Sequence, residues 1–168
     1  MDLGFVRREF RERFVEDKAV ASLYTRDTSM EGGQVLGVVF PVDEEEVELV
    51  CWTVKNRVSL FPQGSATSLS GNAAATAPGL VVSFERMTRL EVDAADGVVA
   101  AEPGVRLNEL NHELARYGLF FPVDPGSVKS ATVGGAVANS AGEIGGAKYG
   151  AMRDWVLGLR VVTDKGTS

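Results

Sequence analysis

Between Pro62 and Gly71 the sequence reads Pro62-Gln63-Gly64-Ser65-Ala66-Thr67-Ser68-Leu69-Ser70-Gly71, a run of small and hydroxyl-bearing residues without a charge. Side chains this small let consecutive backbone N–H groups turn the same way and form a nest for an anion, with Ser and Thr hydroxyls as further donors. A second such stretch is Asp124-Pro125-Gly126-Ser127, followed by Thr132-Val133-Gly134-Gly135-Ala136-Val137-Ala138-Asn139-Ser140-Ala141-Gly142. Its Pro-Gly pair signals a turn, and Thr132 can cap a short helix whose N-terminus would offer free N–H donors and a favourable dipole to a phosphate. Each stretch also has a plainer explanation. A glycine-rich surface loop has the first composition, and close packing of a helix on a sheet selects the same small residues as the second. The phosphate-binding P-loop is excluded, because it needs a Lys and none lies between Lys55 and Lys129. The Rossmann fingerprint is excluded too, since no GxGxxG opens a helix here.

These segments need elements to hold them. Apolar residues at helical spacing (Phe5, Val6, Phe10, Phe14) predict a surface helix over 3–15. Gln34 to Val42 is a strand, and Asp43 caps a helix with Glu46 completing a capping box; Val47, Val50, Cys51 and Val54 form its apolar face and Asn56 sits near its end. Val58 to Phe61 is a second strand, parallel to the first in a right-handed βαβ unit. The uncharged run Leu60–Phe84 holds too many polar groups and helix breakers to cross a bilayer, so Pro62–Pro78 reads as a long polar loop before a strand over 79–84. Next come a hairpin, 90–93 and 98–102, turning at Asp96-Gly97, and a helix over 106–117 with Leu107, Leu110 and Leu114 on one face and Gly118 as its C-cap. A last strand, 155–163, meets a turn at Asp164-Lys165-Gly166 and has no return strand before Ser168, so the chain reads as a fragment of something longer.

Composition narrows the function. With 17 Lys+Arg against 23 Asp+Glu, a net charge of −6 and one His, the chain lacks the basic face of a general nucleic-acid binder. Cys51 is alone, and no Cys/His cluster offers a metal site. His112, the single His, reads as a surface residue of its helix. The N-terminus carries no apolar signal segment, which gives the cytoplasm as the expected compartment.

Taken together and in order, Pro62-x-Gly64-x-x-Thr67-Ser68-Leu69-Ser70-Gly71, Asp124-Pro125-Gly126-Ser127, Thr132-Val133-Gly134-Gly135 and Lys148-Tyr149-Gly150 with Arg153-Asp154 resemble the N-terminal part of FAD-linked oxidases. That superfamily is the one of vanillyl-alcohol oxidase and p-cresol methylhydroxylase (PCMH), and within it the chain looks most like the glycolate oxidase FAD subunit and D-lactate dehydrogenases. The resemblance runs from Tyr24-x-x-Asp27-x-Ser29 to the end.

The resemblance implies an α+β, PCMH-type FAD-binding fold, with a small βαβ subdomain and a second mixed-sheet subdomain truncated at the C-terminus. An N-terminal helical segment (1–33) would precede an FAD-binding domain (34–168), divided at 84/85. It implies FAD held between the two subdomains. The pyrophosphate would lie on the loop around Pro62, Gln63, Gly64, Ser65, Ala66, Thr67, Ser68 and Gly71. Pro125, Gly126, Ser127, Thr132, Gly134, Gly135, Ala138, Asn139 and Gly142 would line the rest of the cofactor, Tyr149 and Gly150 would sit in a strand closing the pocket, and the backbone of Val161 or Val162 would meet the adenine edge. Thr67 stands near where relatives with covalent flavin carry a His, so the FAD is expected to be non-covalent.

The implied chemistry is oxidation of a 2-hydroxy acid to the 2-oxo acid by hydride transfer to FAD. Electrons would leave to a quinone, cytochrome or flavoprotein acceptor, which would hold the protein peripheral to the inner membrane without an integral segment. Groups that bind the substrate belong to a C-terminal cap domain, so no catalytic residue and no metal are assigned here, and the fragment alone is expected to be inactive. A non-catalytic FAD-holding accessory subunit and an inactive remnant are the alternatives. Arg153 and Asp154 read as a structural ion pair. Five positions depart from the family pattern: Gln63 stands for a frequent Arg, Ala66 for Gly, Ala136 and Ser140 for Asn, and Glu143 for Gly. If the backbone at Ala66 takes positive φ, that costs about 1 kcal/mol more than Gly.

Overall fold

The computed structural model describes residues 3–29, 32–52, 58–142 and 146–163 and the backbone of 166–167. The chain forms two compact units, Met1–Arg86 with Arg160–Ser168, and Met87–Leu159. Helices and strands of both kinds occur, the expected α+β class.

In the first unit, α1 (Gly4–Phe10) is shorter than its apolar spacing suggests. Arg11 adopts φ 49 and ψ −120, which ends the helix; after a single 3-10 turn, Phe14–Val15 become β1. Phe14 is drawn into the core with Val39 and Leu80, so tertiary burial overrides the helical period. A one-turn helix, α2 (Lys18–Ala21), capped by Asp17, leads into the loop ahead of β2 (Gly37–Val39). Then come α3 (Glu44–Trp52), β3 (Ser59–Gln63) and β4 (Gly79–Ser83). The sheet order is β1-β2-β4-β3, with β1 antiparallel to β2 and β4 parallel to both its neighbours. The two strands of the βαβ unit are thus parallel, but β4 lies between them. Every residue of β4 is buried, as a central parallel strand requires. β3 is the edge, and this is why it tolerates Pro62, which has no N–H for a ladder.

The start of α3 differs from the expected box. Asp43 Oδ1 accepts from Glu46 N at 2.9 Å, but the Glu46 carboxylate turns to Val42 N (2.9 Å) and to the Arg13 guanidinium. Arg13 also reaches Phe40 O at 3.4 Å, so one ion pair, its side chains only 19% and 18% exposed, joins the turn after α1 to the end of β2 and the start of α3. Hydrogen bonding to Arg13 holds Glu46 below the usual carboxylate range, against the opposing effect of burial. Val54 and Asn56 lie outside the described residues.

The second unit begins with the expected hairpin. β5 (Leu90–Asp93) and β6 (Val98–Ala101) pair antiparallel, with Asp93 Oδ1 accepting from Ala95 N and Asp96 N and Gly97 at φ 66. α4 (Leu107–Ala115) buries Leu107, Leu110 and Leu114 beside Val105, Val123 and Met152. Gly118 takes φ 70 after it, letting Leu119 N reach Leu114 O at 3.1 Å. α5 (Val133–Ala138) and α6 (Gly146–Tyr149) follow.

Three expectations about the end of the chain are corrected. Tyr149 closes α6 and Gly150 has φ 77, so this stretch is helical and not a strand. Trp155 Nε1 donates to Tyr149 O and Trp155 N to Met152 O; these bonds belong to a 3-10 turn, and the last strand shrinks to β7 (Val162–Thr163). β7 pairs antiparallel with β8 (Gly166–Thr167), so the return strand begins within the chain. Asp164 and Lys165 of that turn lie outside the described residues.

Because Glu46 titrates lower in the folded chain, its contribution to stability is full above the ordinary carboxylate value and disappears as pH falls through the lowered one. Glu46→Gln should lower the unfolding free energy at pH 7 by about 1–3 kcal/mol. Urea titrations across pH 7 to 3 should show the difference between wild type and variant shrinking as the pH drops; a constant difference would contradict the ion-pair account.

Candidate functional site

β3 delivers the chain into the loop that runs from Gly64 to Pro78. Gln63, at its start, is 3% exposed, and its side-chain amide donates to Tyr24 O (3.0 Å) and Ala73 O (2.9 Å). Its side chain is therefore turned into the protein. The far half of the loop is tied down at five amides. Ser68 Oγ accepts from Ser70 N and Asn72 N, Ala73 N reaches Asp27 Oδ2 at 3.4 Å, Ala74 N donates to Gly71 O, and Ala75 N donates to Thr25 O at 2.9 Å. Gly71 takes φ 76.

The near half is different. Among the described residues, the backbone N–H groups of Gly64, Ser65, Ala66, Thr67, Ser68 and Leu69 reach no acceptor, and the hydroxyls of Ser65 and Thr67 bond to nothing. These residues are half-buried or exposed, and Leu69 is 73% exposed. No charged side chain stands between Leu60 and Phe84. What the segment presents is a row of amide dipoles and two hydroxyls, a donor set suited to an anion. Ala66 sits at φ 53, the left-handed region, where it carries the Cβ penalty that glycine avoids.

The second stretch is built otherwise. Pro125 is buried, Gly126 exposed and Ser127 half-buried, and Ser127 O accepts from Ser130 N and Ala131 N at 2.8 Å. Thr132 caps α5 as expected, its Oγ1 accepting from Gly135 N at 3.3 Å. The free donors expected at that helix start are absent: Val133 N donates to Val105 O (2.7 Å) and Gly134 N to Pro103 O (2.9 Å). A Cβ on Gly134 would lie 2.6 Å from Pro103 Cβ, so this glycine permits close packing of α5 on the 103–105 turn. Gly142 likewise faces Ala151, whose Cα would stand 2.9 Å from an added Cβ.

Ala138 and Asn139 are exposed beyond that packing, with Asn139 Nδ2 bonded to Gly135 O. α5 ends in a Schellman arrangement, Ala141 N to Ala136 O and Ser140 N to Val137 O, with Ser140 at φ 46 where glycine is usual. Ser140 Oγ is buried without a hydrogen-bond partner among the described residues. Tyr149 is half-buried; its hydroxyl accepts from Lys148 Nζ at 2.8 Å and its ring meets Phe120 edge-on. Val161 is 44% exposed. Asp154 accepts from Ala151 N and makes no ion pair with Arg153, because its carboxylate caps the 3-10 turn. Glu143 lies outside the described residues. His112 is exposed, as expected.

A family described as FAD binding domain matches residues 35–168. D-lactate dehydrogenase of Archaeoglobus fulgidus is 42% identical over 130 residues, which cover 77% of this chain and 29% of that protein. Glycolate oxidase subunit GlcD of Bacillus subtilis is 33% identical over 158 residues, 92% of this chain and 34% of that protein. The chain therefore spans about a third of the length of these relatives. A solved alkyldihydroxyacetonephosphate synthase superposes with a TM-score of 0.89 at 23% identity, covering 100% of this chain and 38% of that one, which shows a shared fold. The chain belongs to the FAD-binding domain family of the vanillyl-alcohol oxidase and PCMH superfamily.

Proposed function

We propose that this chain is the cofactor-holding portion of an enzyme that oxidises a 2-hydroxy acid of the D-lactate or glycolate type to the 2-oxo acid. The observation that carries the assignment of the site is the row of N–H groups from Gly64 to Leu69 without acceptors. In this reading those amides, with the Ser65 and Thr67 hydroxyls, hold the FAD pyrophosphate and offset its charge without a Lys or Arg. Gln63 takes part as the strut behind the loop and not as a phosphate ligand, since both its amide hydrogens are engaged elsewhere. Pro125–Ser127, Ala138, Asn139, Tyr149 and Val161 line the remainder of the cofactor, and Ser140 Oγ gains from it the partner it lacks. Thr132, Gly134, Gly135 and Gly142 serve by packing, keeping α5 close to its neighbours.

Bound FAD supplies a hydride acceptor for the substrate α-carbon. This chain's own residues bind and orient; substrate recognition and proton removal fall to the part of the relatives that lies outside the matched third. The names of those relatives, a D-lactate dehydrogenase and a glycolate oxidase subunit, support the substrate class. Electrons pass on to a quinone, cytochrome or flavoprotein. We place the protein in the cytoplasm; no helix among the described residues is long and apolar enough to cross a membrane. The FAD is dissociable, because Thr67 has no group able to form a covalent flavin bond.

The test is a visible spectrum of the purified chain after incubation with FAD and desalting, followed by acid precipitation. A retained flavin band, released to the supernatant as intact FAD, is expected. A folded chain that retains no flavin would argue against a complete site in these residues, and flavin left in the acid pellet would contradict the non-covalent reading. In the full-length protein, D-lactate or glycolate should bleach that band; failure with every 2-hydroxy acid tried would overturn the substrate class.

The strain at Ala66 gives a second test. Ala66→Gly should stabilise the chain by up to about 1 kcal/mol and tighten, or at least preserve, flavin retention. Thermal melts with and without FAD measure both; a loss of flavin binding would mean that the alanine methyl itself contacts the cofactor.

A further inference from the structure

The donor row of the loop requires something to hold it open while no anion is present. Six adjacent amides without an acceptor among the described residues are not a conformation that a free ten-residue segment would keep. The restraint converges on one residue. Ala73 is gripped at both of its backbone groups: its C=O accepts from Gln63 Nε2 at 2.9 Å, and its N–H points to Asp27 Oδ2 at 3.4 Å. The Gln63 contact joins the residue before the loop to the residue ten positions on, and so closes the ring that contains Gly64–Leu69. The same Gln63 amide also donates to Tyr24 O. Asp27 is 8% exposed, and its other oxygen accepts from Ser29 N (2.9 Å) and Ser29 Oγ (2.7 Å). That carboxylate therefore fixes the 27–29 turn and the loop together. One residue pair further, Thr25 O accepts from Ala75 N and Ala75 O from Gly33 N, so Tyr24, Thr25, Asp27 and Gly33 form the frame on which the loop is hung.

Resting on the flavin reading of the loop, we propose that Gln63 and Asp27 are positioning residues that order the anion-binding loop before the cofactor arrives. Neither touches the pyrophosphate. Each acts through Ala73, and together they remove in advance the ordering that binding would otherwise impose on the loop. The pairing also explains why Gln63 and Asp27 are buried: each satisfies loop or frame backbone that would be left without a partner. A structural role alone would spread its effect over the whole first unit. A positioning role confines it to the loop and to cofactor affinity.

The experiment uses the full chain, without and with FAD, as wild type, Gln63→Met and Asp27→Asn. Residue-resolved amide exchange of the cofactor-free chain reports the order of the loop. Expected for both variants is at least a tenfold faster exchange at Ala73 and Ala75, with the amides of β2 and β4 unchanged, and at least a tenfold larger Kd for FAD. Ala73 and Ala75 amides that already exchange at random-coil rates in the wild type would overturn the proposal, as would variants that bind FAD as tightly as the wild type. Uniformly faster exchange across β2 and β4 would assign the two side chains to general stability and overturn the positioning role. If the wild type binds no FAD, the flavin reading of the loop fails by itself, and the exchange data still decide whether the brace orders it.

Discussion

A buried or half-buried backbone N–H needs an acceptor, and a folded chain leaves few of them without one. Six in succession, Gly64 to Leu69, stand without an acceptor among the described residues on a loop that carries no charge. The edge strand β3 brings the chain to the loop, and Pro62 can sit there because an edge asks for no donor. The fully buried strand β4 anchors the return. Between them, residues 70 and 72–75 use their own amides on Ser68, Asp27, Gly71 and Thr25. A diphosphate on such a nest needs no cationic side chain, in keeping with a chain of net charge −6 that belongs to an FAD-binding family.

The second unit solves a different problem with a similar composition. Its glycines and alanines allow α5 to approach the 103–105 turn closely, and the first N–H groups of that helix end on Val105 O, Pro103 O and Thr132 Oγ1. Two stretches that look alike in residue content therefore divide their roles: one presents donors, the other engages them internally and offers its outer edge, from Ala138 to Ser140.

Much of this could be read before the fold was known. The hairpin at Asp96-Gly97, the helix with Leu107, Leu110 and Leu114, the Thr132 cap and the parallel strands around α3 all follow from local chemistry, where turn residues and apolar period agree. The readings that changed were those decided by distant partners. Phe14 leaves its helix because the core near Val39 and Leu80 takes its ring. Trp155 leaves its strand for Tyr149 O, and Glu46 turns from Asp43 toward Arg13. At the site, small residues signalled a loop able to hold an anion, yet composition could not say whether an N–H was free or bonded. Nor could it show that Gln63 faces inward or that the Asp27 carboxylate reaches Ala73 N, 46 positions along the chain.

The central claim is that the amides of Gly64–Leu69 hold the diphosphate, and amide resonances of the labelled chain test it directly. The account predicts that FAD shifts these six amides strongly, while riboflavin, which has the same ring system and no diphosphate, leaves them in place. If FAD is retained with those six resonances unmoved, the diphosphate lies elsewhere and the account is wrong.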